Sequence, residues 1–356
     1  MIDILFIAQN SHQYNYFNKI KANLQLKIEV VKPTHLCYKK ILEVDLSKKK
    51  QEIFLKYSPF KAKVYFKYIE FITPFFECNY EYFIKKYNPK MVGLWNGIKY
   101  PQNIAVKIAK KYNKQIVYFE NGFLPNTTQM DNKGVNYYNS LPRDVEFYKN
   151  LKLDVKLDTN LEKREFVGKQ ILEDVKLPQN YIFVPFQVGY DSQIIYFSDF
   201  KDMRELFFLI KDISEKLKIN FVFKEHPSDR VNDYSDLHEI AKKSKYLTFA
   251  NKFDTKDLIQ NSQSVVTINS SVGIESLLFH KKVYVLGKAF YRIEEITIPA
   301  NKNNLLEKIK EDKKIDFEIV DKFLKYLKIY LIPDSWKNPT NKHFKEIEER
   351  LKKWLQ

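Results

Sequence analysis

Short apolar runs and helix-patterned segments alternate along this chain, stop, and then begin again. That repeated alternation constrains the fold more than any other feature of the sequence. Residues 2–8 read as a strand, 9–13 as a polar loop leading into a helix, and 27–31 as a second strand. Residues 91–95 read as a strand, 101–112 as a helix, and 115–119 as a strand ending at Glu120. A charged stretch at 150–178 interrupts the pattern. It resumes with strands at 181–185, 221–224, 264–268 and 282–286, separated by helices at 202–217, 234–243 and 272–279. Strands alternating with helices imply parallel sheets, and 356 residues suit two domains of ordinary size. The expected division is 1–165, with a helical insert at about 48–90, then 166–335, then a terminal helix at 336–356. In that helix Phe344, Ile347, Leu351 and Leu355 fall at helical spacing. Its expected role is to close the second domain.

This α/β layout is that of the GT-B type: two Rossmann-like domains, their parallel sheets facing a central cleft, and a closing C-terminal helix. Fold alone does not fix chemistry. Apolar residues make up 44% of the chain and charged residues 29%, which excludes a disordered chain. No uncharged apolar run approaches the ~18 residues of a membrane span, and the first residues lack the basic lead and cleavage site of a signal peptide. Cys37 and Cys78 are too few for a disulfide framework or a four-ligand zinc site, so a reducing compartment is expected. The net charge of +16 points to a polyanionic partner. Thirteen of the 40 residues at 51–90 are Phe or Tyr, and Lys48, Lys49, Lys50, Lys56, Lys61, Lys63 and Lys67 lie among or beside them. These aromatic residues either fill the core of the first domain or, with the lysines, form a patch for an anionic membrane face.

Four polar clusters follow strands, where ligands bind in open α/β sheets. The first holds Glu120, Asn121 and Gly122, and runs on through Asn136 to Arg143. It is either a site carboxylate with its surroundings or a capped turn. The second, Gln187 to Gln193, contains Asp191 and Ser192; Asp191 is a site residue or a helix cap. In the third, Lys224, His226, Pro227 and Arg230 set an imidazole beside two cations, a combination suited to phosphate. Pro227 keeps His226 out of the helical region. The fourth, Asn269, Ser270, Ser271 and Gly273, leads a strand into a helix whose free N–H groups and hydroxyls form an anion site, or else it is an ordinary serine cap. No GxxxxGK[ST] or GxGxxG motif is present, so neither a P-loop nor a dinucleotide site is expected.

At these residues the chain resembles the bacterial capsule polysaccharide biosynthesis proteins that act as retaining β-Kdo transferases (Kdo is 3-deoxy-manno-octulosonic acid). The matching blocks are 120–125, 134–148 with its Ser-Leu-Pro-Arg-Asp core, 187–194, 226–230, and 265–273 running on to 287–291, in family order. The first 90 residues carry none of the resemblance. Leu124 is followed directly by Pro125, whereas members that prime a membrane lipid have a basic residue between them, so the acceptor stays open. The resemblance implies a CMP-β-Kdo donor as substrate, no separate cofactor and no required metal. Gln187, Lys224, His226, Pro227, Arg230, Asn269, Ser270, Ser271 and Gly273 would bind the donor. Asp191 would be the nucleophile and Glu120 the acid/base. Asn121, Gly122, Asn136, Arg143 and Ser192 would bind the substrates, and Arg143 or Arg230 would meet the Kdo carboxylate.

The expected partners are CMP-Kdo and a glycan or glycolipid acceptor. The expected location is cytoplasmic, in peripheral contact with the anionic face of the inner membrane, and nucleic acid is not expected. The alternatives are a transferase for another CMP-linked nonulosonic acid, an inactive export scaffold, and a nucleic-acid-binding protein. The last predicts steeply salt-dependent binding to single strands.

Overall fold

The structure, a computed structural model, describes residues 2–159, 161 and 171–356. The chain forms two units: 1–141 with 329–356, and 142–328. The expected boundary at 165/166 lies outside the described residues, and the division itself falls earlier.

In the first unit, β1 (Ile4–Ile7) leads to α1 (Ser11–Asn23) and β2 (Ile28–Val31). Two helices follow, α2 (Ser47–Lys56) and α3 (Pro59–Tyr87), then β3 (Met91–Trp95), α4 (Gln102–Lys111), β4 (Gln115–Asn121) and β5 (Thr127–Asp131). β1 pairs in parallel with β2 and β3, and β3 with β4. β1 and β3 are buried throughout, as strands covered on both faces must be. The sheet is not wholly parallel as expected, because β4 turns back into β5 as an antiparallel hairpin.

The second unit opens with α5 (Val145–Lys149) and β6 (Tyr181–Pro185), continues through α6 (Ser192–Phe197), α7 (Met203–Leu217), β7 (Asn220–Lys224), α8 (Ser235–Lys243) and β8 (Leu247–Phe249), and then α9 (Thr255–Asn261) and β9 (Ser264–Thr267). It ends with α10 (Ser271–Leu278), β10 (Lys282–Val285), β11 (Ile298–Pro299), α11 (Leu305–Glu311) and α12 (Phe317–Tyr330), the last of which carries the chain to the boundary. Its sheet order is β11-β10-β9-β6-β7-β8, with every pairing parallel. From β6 the chain builds outward through β7 and β8, then returns to β9 and builds the other way. The topological switch point therefore lies between β6 and β9. Local signals agree with these elements. Asp202 caps α7 by accepting from the Glu205 amide at 2.9 Å, and Lys218 ends that helix in the left-handed region.

The chain returns to the first unit as β12 (Ile332–Pro333), antiparallel to β5, and α13 (Asn341–Leu355). Phe344, Ile347 and Leu351 of α13 join the core with β1 and α1. Its buried His343 takes the Tyr16 hydroxyl on Nε2 at 2.8 Å, while Nδ1 meets the Pro333 carbonyl at 2.7 Å. The terminal helix thus packs in the first unit, not the second. Its apolar stripe shows that it docks, but carries no information about which core receives it.

Cys37 and Cys78, expected as reduced thiols, are joined as a disulfide across a sequence separation of 41, with Cα atoms 5.8 Å apart. A count of two excludes a framework, but a single bridge needs only one well-placed pair. The segment it tethers also packs on α3: buried Glu77 accepts the Ile41 and Leu42 amides, and His35 stacks on Tyr82. The 48–90 region is helical, as expected. Its aromatic residues divide along α3, with Tyr80 and Phe83 in the core and Phe60 and Phe71 in solvent.

Candidate functional site

Three of the four clusters leave the carboxyl ends of neighbouring strands β9, β6 and β7, at the switch point of the second unit. In register, Phe183 of β6 faces Val265 of β9 and Pro185 faces Lys224 of β7, so these loops start at one level of the sheet. The crevice beside such a point is where open α/β sheets bind ligands.

A reciprocal amide pair bridges it. Gln187 Nε2 donates to Asn269 Oδ1 at 2.9 Å, and the Asn269 amide donates back to Gln187 Oε1 at 3.1 Å. Asn269 Nδ2 also reaches the Gln193 carbonyl at 2.8 Å. Both residues are buried. Expected as donor ligands, they bond to each other and hold the 187–193 and 269–271 loops together.

Asp191 is the N-cap of α6, its Oδ1 accepting from the Gln193 amide at 2.8 Å. It is half-buried, and the next residue, Ser192, is buried. The carboxylate is therefore fixed by the cap at the head of a helix. Ser270 caps α10 in the same way, accepting from the Val272 amide at 3.2 Å, and Ser271 Oγ meets Glu275 Oε1 at 3.3 Å. The capping readings of these residues hold geometrically, and a capped helix start still presents a positive dipole end.

Gly273 allows this start to be locked. A Cβ there would lie 2.6 Å from the Tyr291 hydroxyl and under 3 Å from its ring. The bare glycine lets Tyr291 lie against the helix and donate to the Ser270 carbonyl. Burial pushes the Tyr291 phenol well up, so it remains a donor. Gly273 thus serves packing, and Tyr291 is a positioning residue that only its place in the 287–291 block marked in the sequence.

In the third loop His226 Nδ1 accepts from the Ser228 amide at 3.1 Å, and Arg230 is exposed. Pro227 is buried. Lys224 departs from expectation. It is buried, and its ammonium donates to the Asn251 and Phe253 carbonyls at 2.7 Å each. It braces the loop after β8. The sequence set Lys224 beside His226 by proximity, but it does not show that the ammonium turns inward onto two backbone carbonyls. Below this loop Glu225 and His238 form a buried pair at 2.6 Å, joined by Asn251.

Glu120 belongs to the first unit and lies within β4, facing Gln129 across the hairpin rather than following the strand. Four donors hold it: Trp95 Nε1 at 3.0 Å and Asn96 Nδ2 at 2.7 Å, with the Asn121 amide at 3.0 Å and Asn121 Nδ2 at 3.2 Å. Asn121 Oδ1 in turn accepts from Trp336 Nε1 at 2.7 Å. Neither tryptophan nor Asn96 was singled out in the sequence. Trp95 ends β3, the parallel neighbour of β4, and Asn96 follows it; only the pairing brings them to Glu120. Gly122 closes the turn, where a Cβ would fall 1.9 Å from Thr127 Oγ1. Asn136, at a left-handed φ of 56°, donates its amide to Gln129 Oε1. Arg143 falls in the second unit, its guanidinium 5.8 Å above the Phe290 ring. The first cluster is thereby divided between the units.

Among the described residues, no group of three or more His, Cys, Asp or Glu side chains is placed to hold a metal ion, and no helix is long and apolar enough to cross a membrane.

Residues 92–159 and 156–330 match the family described as capsule polysaccharide biosynthesis protein. Protein FixF of Sinorhizobium fredii is 35% identical over 221 residues, which are 59% of this chain and 52% of that protein. Capsule polysaccharide export protein KpsS of Escherichia coli is 25% identical over 285 residues, covering 63% and 72% of the two chains. The chain thus spans about half the length of FixF and more of KpsS. Among solved structures, the β-Kdo 2,7 transferase of Thermosulfurimonas dismutans KpsC aligns over 99% of this chain and 100% of that one, at 14% identity and a TM-score of 0.49. With the family match running over residues 92–159 and 156–330, well over half of its length, the chain belongs to the capsule polysaccharide biosynthesis protein family.

Proposed function

We propose that this protein is a retaining glycosyltransferase that moves Kdo from CMP-β-Kdo to a surface glycan or glycolipid. The observation that supports this reading is the convergence of a capped carboxylate, an imidazole and a serine-capped helix start on one switch point, braced by Gln187 and Asn269. That set provides a nucleophile beside groups suited to a phosphate leaving group.

The reaction proceeds by two displacements. The Asp191 carboxylate attacks the anomeric carbon of Kdo. The bond from that carbon to the phosphate oxygen breaks, and CMP departs with the electron pair. CMP leaves as a phosphate monoester, so it needs charge stabilisation more than a proton. His226 and the N-terminus of α10 supply it. The acceptor hydroxyl then attacks the same carbon, Glu120 takes its proton, and the aspartyl ester bond breaks to restore the Asp191 carboxylate. Two inversions give net retention, as in glycosidases that use a paired nucleophile and acid/base. The four donors around Glu120 fix its orientation. Arg230 or Arg143 pairs with the Kdo carboxylate. The reaction as drawn uses no metal or further cofactor. The proposed place of work is the cytoplasmic face of the membrane, in peripheral contact with its anionic leaflet.

The test is a donor panel with purified protein, followed by intact mass spectrometry without acceptor. CMP release from CMP-Kdo and a Kdo mass increment mapped to Asp191 are the expected results. Release only from a CMP-sialic or CMP-pseudaminic donor would replace Kdo with that sugar. No release from any CMP donor would reject the assignment.

A further inference from the structure

On the first half of α3, Phe60, Val64, Tyr68 and Phe71 are 78%, 56%, 54% and 67% exposed. At 100° per residue they occupy an arc of about 80°. The opposite face of the same helix is already satisfied: Ala62 and Ile69 pack with Ile53 of α2 in a small separate core. The exposed arc is therefore a second apolar stripe, facing outward. The ring of Tyr38 lies 5.8 Å from that of Phe71 and continues the surface, together with exposed Leu36.

Charge defines what this stripe fits. By helical phase Lys63 and Lys67 border the arc on one side and Lys61 on the other. From residue 47 to 71 there are seven lysines against two acids, Glu52 and Glu70. A second copy of the chain, meeting this face about a two-fold axis, would set the three lysines that border the stripe against three more. An anionic lipid surface would neutralise them while the rings enter the headgroup layer. This is the pattern of a helix that lies in an interface. α3 is not apolar enough to cross a membrane.

We propose that the outward stripe of α3, with Phe60 and Phe71 as its anchors, is the surface by which this protein beds on an anionic membrane. The proposal deepens the functional reading by naming the surface that makes the membrane contact. Its test reads lipid binding rather than sugar transfer, so either can fail alone.

The full chain is sedimented with vesicles of phosphatidylcholine alone and with vesicles carrying phosphatidylglycerol. Binding is expected to the anionic vesicles only, and to fall as salt rises. The double variant Phe60→Ser, Phe71→Ser should bind about tenfold or more weakly, with unchanged circular dichroism and unchanged CMP-sugar turnover on a soluble acceptor. Lys61→Gln with Lys63→Gln and Lys67→Gln should flatten the salt dependence. Three results would overturn the proposal: no binding to anionic vesicles, equal binding by the serine variant, or a dimer in sedimentation equilibrium that the serine variant dissociates.

Discussion

At the residue scale, Asp191 is the sharpest case because one carboxylate has two assignments. It caps α6, and under the proposed mechanism it attacks the sugar. The two roles separate by substitution. Asparagine caps helices about as well as aspartate, so Asp191→Asn should melt like the wild type while transfer falls by about a thousandfold or more. Asp191→Ala loses the cap as well, at a cost of about 1 kcal/mol. Transfer assays beside thermal melts check both, and a fully active Asp191→Asn enzyme would reject the nucleophile. The sequence displayed Asp191, His226 and the two serines because polar residues after apolar strands stand out. It concealed what Lys224, Gln187 and Asn269 do. Their polar atoms satisfy other groups inside the fold, and a string of letters does not show which way a side chain turns. The tryptophans beside Glu120 were hidden for a related reason. Trp95 lies 25 residues away and Trp336 joins through Asn121, so only strand pairing and the returning chain assemble that network.

At the scale of elements, the strongly periodic segments were legible and the weakly apolar ones were not. β5, with the sequence Thr-Thr-Gln-Met-Asp, has no apolar run to betray it; it exists because β4 turns back at Gly122 and offers it an edge. α13 was plain as a helix, yet its docking partner was not. That docking carries a pH signature. Burial holds the His343 imidazole below its ordinary value of 6.5, so the folded state favours the neutral ring. With Nδ1–H donated to the Pro333 carbonyl, Nε2 accepts from Tyr16. The unfolded chain keeps the ordinary value and binds more protons below it. This contribution is therefore fully present above 6.5 and is lost as pH falls toward the depressed folded value. Urea melts across that range should show stability dropping with acid, and His343→Gln should flatten the dependence. An unchanged dependence in that variant would remove His343 as its source.

At the scale of the whole molecule, the first unit is made from two distant stretches of chain. Ile332, Phe344, Ile347 and Leu351 all come from the later stretch and all lie in its core. Burying each stabilises the fold by about 1.5–3 kcal/mol. Together they approach the ~5–15 kcal/mol of a typical domain. A chain ending at residue 328 should therefore leave the first unit unfolded while the second, complete in 142–328, keeps its protection. Limited proteolysis with mass mapping checks this, and a protected 1–141 fragment would contradict it. Two units were readable from the restart of the pattern, but the returning segment was not, because no local signal marks a helix that belongs to a distant core. The arrangement also bears on synthesis. On the ribosome, the part encoded second has every residue it needs while the part encoded first still lacks its last helix. The leading segment must wait, its unfinished sheet open to chaperones, so the order of maturation runs against the order of translation.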